Sequence, residues 1–168
     1  MAPSFHPRDR QLSVAFVCLG NICRSPMAEA VFRHKVKELG YSYYFKTIDS
    51  FGTTRWHTGE SPDARTVQTC RKNGVPIEHQ AQEISLKDFD RFDYILAMDE
   101  TNLRDLRQMQ PIYSDSIVEL FGKWRSNSQF NKVVGDPYYG GISGFEYNFQ
   151  QLGHFSEEFL LREVGTLD

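Results

Sequence analysis

The chain has 168 residues, enough for one domain with a real core, and carries a formal net charge of −3. A pI near 6.0 and the absence of a basic run argue against a nucleic-acid partner and an anionic membrane surface. We expect a single domain over 1–168, in which the polar residues 1–11 form a short N-terminal extension and not a signal peptide. We also expect no membrane span and a cytoplasmic location.

Short apolar runs predict four buried strands, at residues 13–17, 45–50, 94–98 and 117–120. Helical stretches lie between them, and this alternation predicts an α/β fold with a four-stranded parallel sheet and helices on both faces. Helix starts are indicated at Ser25-Pro26, Ser61-Pro62, Asp99 and a capping box that opens with Ser143. The first helix is expected to bury Ala28, Val31, Phe32, Val36 and Leu39.

The segment between the first strand and the first helix predicts a pocket for a phosphate-like oxyanion. Gly20 and Asn21 tolerate a left-handed backbone, so the loop can curl and turn its amide N–H groups inward. The following helix N-terminus adds unpaired amides, and Arg24 adds a planar donor fork that matches two oxygens of an oxyanion. The residues expected to line the pocket are Cys18, Leu19, Gly20, Asn21, Ile22, Cys23, Arg24 and Ser25.

Cys18 lies at the bottom of this positively charged pocket, which should favour its thiolate and make it a nucleophile. A lone cysteine at a strand end is more commonly a small buried residue, but the complete loop pattern favours the nucleophile. Because amides and a guanidinium already supply the charge stabilisation, we expect no metal and no cofactor.

Two blocks of sequence resemble the low-molecular-weight protein tyrosine phosphatases. The segment from Cys18 to Pro26 is similar to the active-site loop of that family, and Asp136-Pro137-Tyr138-Tyr139-Gly140 resembles the loop that carries its general acid. Residues 92–103 are also similar to the family, so the resemblance extends from about Leu12 to Leu160, with the tail closest to fungal members. The resemblance implies a flavodoxin-like or Rossmann-like sheet.

The resemblance also implies a metal-independent, two-step hydrolysis of phosphotyrosine in proteins and of small aryl phosphates, an acid phosphatase activity. Cys18 would attack phosphorus while the loop amides and Arg24 hold the equatorial oxygens. Asp136 would protonate the leaving phenolate and then activate water against the cysteinyl phosphate. Inorganic phosphate, vanadate and sulfate would act as inhibitors.

Supporting roles follow from the same resemblance. The Ser25 hydroxyl would hydrogen-bond the sulfur of the nucleophile, and Asn21 would hold the loop through neighbours such as Ser50. His79 occupies a position similar to a supporting histidine of the family. The alternatives are that Ser25 is only a helix cap, Asn21 only a turn residue and His79 only a loop side chain.

Aromatic residues are expected to form the walls of the pocket. Trp56 falls in a variable loop of the family and can pack on a phosphotyrosine ring, with Tyr138 and Tyr139 opposite. His57, beside Trp56, is expected to tune specificity. Gly135 stands where the family often has an acidic residue, which should loosen the backbone of the acid loop. We expect a monomer or a weak homodimer.

Cys23 lies close enough in the curled loop to form a disulfide with an oxidised Cys18, giving reversible inactivation by peroxide; the alternative is a packing role. Arsenate reductase remains a rival function, although it needs relay cysteines and only Cys70 lies outside the loop. Arginine phosphatase and a non-catalytic phosphate-binding module are further alternatives. Cys18, Asp136 and the aromatic walls favour the tyrosine phosphatase.

Overall fold

The computed structural model describes residues 10–167, so all but the last two residues of the predicted N-terminal extension lie outside the described part of the chain. The strands are β1 Leu12–Cys18, β2 Phe45–Gly52, β3 Tyr94–Ala97 and β4 Ile117–Leu120. The α-helices are α1 Arg24–Glu38, α2 Ala64–Lys72, α3 Asp88–Arg91, α4 Glu100–Met109 and α5 Ile142–Phe159. Short 3-10 turns at Ser42–Tyr44 and Phe121–Trp124 and a π-helical turn at Leu160–Val164 complete the described elements.

The strands form one parallel sheet in the order β2-β1-β3-β4, which confirms the predicted α/β fold. Every residue of β1 is buried because this strand is central and both faces of the sheet are covered. The carboxyl ends of parallel strands meet at one edge, and Cys18 pairs with Gly52 at that edge. The loop after β1 therefore opens where ligands bind in such sheets.

Helices cover both faces of the sheet, as predicted. Phe16 of β1 points to one face and packs on Phe32 of α1 and on Phe121, with ring centroids 5.3 and 4.9 Å apart. Its neighbours Ala15 and Val17 point to the other face, where they join a second apolar cluster with residues of α3 and α4. This alternation gives one core between the sheet and α1 and α5, and another beneath α3 and α4.

The helix starts agree with the sequence only in part. The α4 helix begins after Asp99, whose side chain accepts from the Asn102 amide while Asn102 bonds back, so this start is confirmed. The α2 helix is capped by Asp63 rather than by Ser61, because the Asp63 carboxylate accepts from the Arg65 amide. No helix among residues 10–167 is both long and apolar enough to cross a membrane.

Three expectations about α1 and α5 are wrong. Ser25 lies inside α1, which begins at Arg24, so it does not cap the helix. Ser143 also lies inside its helix, because α5 begins at Ile142 after an extended Gly141. Leu39 follows the end of α1 and is 43% exposed, since the chain turns away from the core there.

Candidate active site

The loop that joins β1 to α1 has one left-handed residue, Asn21, with a φ of 57°. Gly20 has no positive φ, so the expectation of a left-handed backbone at this residue is wrong. A Cβ at Gly20 would lie 2.9 Å from Cδ2 of His57, so a larger residue would require the His57 ring to shift. Asparagine tolerates the left-handed region better than most residues, and its side chain can hold the turn by hydrogen bonds.

The sulfur of Cys18 is nearly buried and has two polar contacts, one from the loop and one from the first turn of α1. The Asn21 amide donates to it at 3.3 Å, and the Ser25 Oγ lies 3.0 Å away. Ser25 has one hydroxyl hydrogen and also faces the Phe51 carbonyl at 3.3 Å. When the sulfur is a thiolate, the hydroxyl donates to it, because an anion accepts more strongly than a carbonyl.

Arg24 is 4% exposed and is held by parts of the chain distant in sequence. Its Nη1 donates to Asp99 Oδ2 at 2.6 Å and to the Val134 carbonyl at 3.1 Å. Burial alone lowers the pKa of Arg24, but the sulfur of Cys18 and the carboxylate of Asp99 outweigh it, so the pKa lies above its ordinary value. The guanidinium is therefore a fixed cation beside the Cys18 sulfur.

Asn21 is fully buried, and its side chain connects the loop to its surroundings. Its Nδ2 donates to Ser25 Oγ at 2.7 Å and to Ser50 Oγ at 3.1 Å. Its Oδ1 accepts from the Gln82 amide at 3.0 Å and contacts His79 Nε2 at 2.7 Å. The side chain thus fixes the curled backbone from behind the pocket.

A carboxylate that the sequence reasoning missed stands behind these groups. Glu29 on α1 accepts from Ser50 Oγ at 2.8 Å and from Arg33 Nε at 2.9 Å. His79 Nδ1 lies 3.3 Å from Glu29 and 4.0 Å from Asp49. Among the described residues, Glu29, Asp49 and His79 are the group whose donor atoms could hold a metal ion. Ser50 and Arg33 engage both Glu29 oxygens, so this carboxylate forms part of a hydrogen-bonded support behind the loop.

A cavity of about 320 Å³ opens above the loop. Trp56, 70% exposed, forms part of its wall with Tyr138 and Tyr139. Asn21 and Ser25, predicted to line the pocket, lie behind it with no exposed surface. Ser50 and His79 also lie behind it. The residues that line it are Cys18, Leu19, Gly20, Ile22, Cys23, Arg24, Trp56, His57, Asp136, Tyr138 and Tyr139.

Asp136 faces this cavity from the loop before α5. Its Oδ1 accepts from the Tyr138 amide at 3.0 Å, which fixes the side chain on a turn. Its Oδ2 lies 3.8 Å from Arg24 Nη2, and the side chain is 45% exposed. One oxygen is therefore committed to the loop, and the other faces the fixed cation and the cavity.

Cys23 lies in the same loop with 5% of its surface exposed. Burial, reinforced by the carboxylate of Asp63, raises the pKa of Cys23 to about 12. The thiol is therefore protonated at neutral pH.

Sequence reasoning missed the roles of Asp99 and Glu29. Asp99 was singled out only as a helix start, yet its second oxygen holds Arg24. Glu29 and Arg33 follow Ser25 at intervals of four, which places all three on one face of α1. That spacing was the available signal for Glu29.

A model of the family described as low molecular weight phosphotyrosine protein phosphatase matches residues 13–166. Proteins of that description from Saccharomyces cerevisiae and Homo sapiens are 50% and 43% identical, over 92% and 88% of this chain and 96% and 93% of theirs. The crystal structure of a protein tyrosine phosphatase from Entamoeba histolytica superposes with a TM-score of 0.86 at 31% identity, covering 90% of this chain and 96% of that one. A Drosophila arginine phosphatase superposes with a TM-score of 0.82 at 35% identity, covering 89% and 96%.

Proposed function

Since the chain belongs to the low molecular weight phosphotyrosine protein phosphatase family and is a cysteine-based phosphatase, we propose that Cys18, Arg24 and Asp136 carry out its reaction. The observation that carries this assignment is that all three line one cavity, although Asp136 lies far along the chain from Cys18 and Arg24. The exposed aromatic rings at the rim favour aryl phosphates and phosphotyrosine in proteins as substrates.

In the first step the Cys18 thiolate attacks phosphorus, and the bond to the phenolic oxygen breaks. The Asn21 amide and the Ser25 hydroxyl stabilise the thiolate, at 3.3 and 3.0 Å from the sulfur. The Arg24 guanidinium and the loop amide N–H groups donate to the equatorial oxygens and so stabilise the negative charge that develops there. Asp136 gives its proton to the leaving oxygen, so the product is a neutral phenol.

In the second step the Asp136 carboxylate takes a proton from water, and that water attacks the cysteinyl phosphate. The P–S bond breaks and the thiolate returns with inorganic phosphate as product. The same carboxyl serves both steps because it leaves the first step ionised.

The structure gives little support to arsenate reduction. Such chemistry needs a cysteine able to reach the active-site sulfur and pass on a disulfide. Cys70 lies in α2 with no exposed surface, and burial raises its pKa to about 12. It packs in the core of the protein.

The direct test uses p-nitrophenyl phosphate at mildly acid pH, with and without a chelator. Turnover should survive the chelator and fall by several orders of magnitude in Cys18→Ser. Asp136→Asn should lose about 10²-fold or more while still forming the cysteinyl phosphate. Equal turnover in Asp136→Asn and wild type would assign the acid elsewhere. Faster turnover of phosphoarginine than of phosphotyrosine, or thiol-dependent arsenate reduction, would replace the proposed substrate class.

Binding partners follow from the same pocket. Inorganic phosphate, vanadate and sulfate should compete with substrate, since each presents oxygens to the loop amides and Arg24. We propose a cytoplasmic enzyme that is a monomer or a weak homodimer. Vanadate inhibition that proves non-competitive, or a tight dimer in sedimentation, would contradict these points.

Redox regulation through Cys18 and Cys23 is also proposed. Peroxide would oxidise Cys18 to a sulfenic acid, and Cys23 would displace water from it to form the disulfide. The raised pKa of Cys23 should slow this second step, because the thiolate is the attacking form. Mass spectrometry after peroxide should find the disulfide and its reversal by thiols. Over-oxidised Cys18 beside a free Cys23 would leave Cys23 as a packing residue.

A further inference from the structure

We propose that Arg65 is a positioning residue that ties the acid loop (residues 135–141) to the phosphate loop (residues 18–23, between β1 and α1) and so sets the reach of the Asp136 carboxyl. The proposal rests on the role proposed above for Asp136 as general acid. Arg65 does not line the cavity that holds Cys18, so it acts through other residues.

The first turn of α2 is docked on the phosphate loop by two hydrogen bonds. The Asp63 amide donates to the Ile22 carbonyl at 2.8 Å. The buried Thr66 hydroxyl donates to the Cys23 carbonyl at 3.3 Å. Residues at this end of α2 are therefore fixed relative to the residues that would hold the phosphate.

Asp63 holds the guanidinium of Arg65 by a two-point contact. Nε donates to Oδ1 at 3.0 Å and Nη2 donates to Oδ2 at 3.0 Å. The hydrogen bonds from Arg65 also lower the pKa of Asp63. A cation in the first turn of a helix is opposed by the helix dipole, so the stability of α2 does not by itself explain an arginine here. The contact instead orients the rest of the guanidinium.

The remaining parts of the guanidinium contact the acid loop and the start of α5. Nη1 donates to the Gly140 carbonyl at 3.3 Å. The guanidinium carbon lies 5.5 Å from the ring centre of Tyr138 and 4.6 Å from that of the buried Phe145. The Arg65 side chain thus connects the first turn of α2, which is docked on the phosphate loop, to the tip of the acid loop.

The acid loop has firm support at its base and little at its tip. The Val134 amide donates to the Met98 carbonyl at 2.8 Å, and Asn148 donates to the Gly135 carbonyl at 3.2 Å. Within the described part of the chain, Arg65 makes the only side-chain hydrogen bond from outside residues 136–144 to residues 137–141. Loss of the guanidinium should therefore free the tip while leaving the phosphate loop intact.

The test compares two substrates that differ in their need for a proton. Dinitrophenolate leaves without one, whereas the phenolate of phenyl phosphate requires the general acid. In Arg65→Met, kcat/KM for phenyl phosphate should fall about 10-fold, and that for dinitrophenyl phosphate by less than about 2-fold. Activity on the second substrate also shows that the variant is folded with its phosphate loop intact.

Arg91→Met is the matched control. Arg91 also pairs with a nearby carboxylate, that of Asp88, at 2.9 Å and stacks on the adjacent Phe92 at 5.1 Å, but it lies away from the cavity. Both substrates should react as in wild type. Arg65→Lys keeps the charge without the planar fork and should retain the defect with phenyl phosphate.

The outcomes separate the two proposals. Asp136→Asn should show the same dependence on leaving group, to a larger degree. If it does and Arg65→Met loses equally on both substrates, or on neither, Arg65 does not position the acid. Full recovery of phenyl phosphate turnover in Arg65→Lys would show that a positive charge at this position is sufficient, and it would contradict positioning by the planar guanidinium. If Asp136→Asn itself fails to discriminate, the general acid is wrong and the positioning proposal falls with it.

Discussion

Replacement of Asn21 by alanine should destabilise the protein more than a typical point mutation. The side chain makes four polar contacts in a fully buried site, to Ser25, Ser50, His79 and the Gln82 amide. Each is worth about 1 kcal/mol, and alanine in the left-handed region adds about 1 kcal/mol more. The expected loss is about 4–5 kcal/mol, which corresponds to a Tm lower by roughly 10–15 °C in a chain of this size.

Asn21→Gly is the matched variant, because it loses the same four contacts without the backbone penalty. Its stability should therefore fall less than that of Asn21→Ala. Both should lower kcat by about 10²-fold or more, since the loop amides no longer point at the phosphate oxygens. The measurements are thermal and urea unfolding and turnover of p-nitrophenyl phosphate. A Tm change below about 3 °C in Asn21→Ala, or greater damage from glycine than from alanine, would refute the reasoning.

Two further predictions concern stability. A Cβ on Gly122 would lie 1.7 Å from the Lys132 carbonyl oxygen, so Gly122→Ala should lower the free energy of unfolding by about 3 kcal/mol in urea. Gly135→Ala, with no atom near the new methyl group, should leave stability unchanged or raise it slightly. Equal losses of stability in Gly122→Ala and Gly135→Ala would contradict the steric argument. Because Arg65 lowers the pKa of Asp63 below its ordinary 3.8, the stabilisation by this carboxylate is present above that pH and lost as the pH falls through the lowered value. The Tm difference between wild type and Asp63→Asn should accordingly close in acid, and a constant difference across the range would argue against the ion pair.

The sequence was most informative where local pattern decides the structure. The four strands lie within two residues of their predicted ends, because buried parallel strands are continuous apolar runs bounded by turns. The curled loop was predictable from Asn21, whose residue type tolerates the left-handed backbone, although the same expectation for Gly20 is wrong. Contacts between residues far apart in the sequence were not predictable, since nothing local indicates that Arg24 meets Asp99 or that Arg65 reaches Gly140. Which of these residues meet is determined by how the helices and strands pack together.

The start of α5 shows how tertiary contact overrides a local signal. Ser143 begins a good capping box, yet the helix starts earlier, at Ile142. Gly144, in the first turn, packs against Pro137 of the acid loop, where a Cβ would lie 3.3 Å from the proline side chain. The close approach fits a loop that folds back on the helix it introduces.

The contacts of Arg24 also bear on how the enzyme acquires activity during folding. The guanidinium joins the start of α1 to Asp99 and to Val134, contacts that span 75 and 110 residues of sequence. Such long loops close late, because their entropy must be overcome before the contact gives any stability. A chain that has collapsed and formed its helices without these contacts should therefore still be inactive. Recovery of turnover after dilution from denaturant should report the last stage of folding.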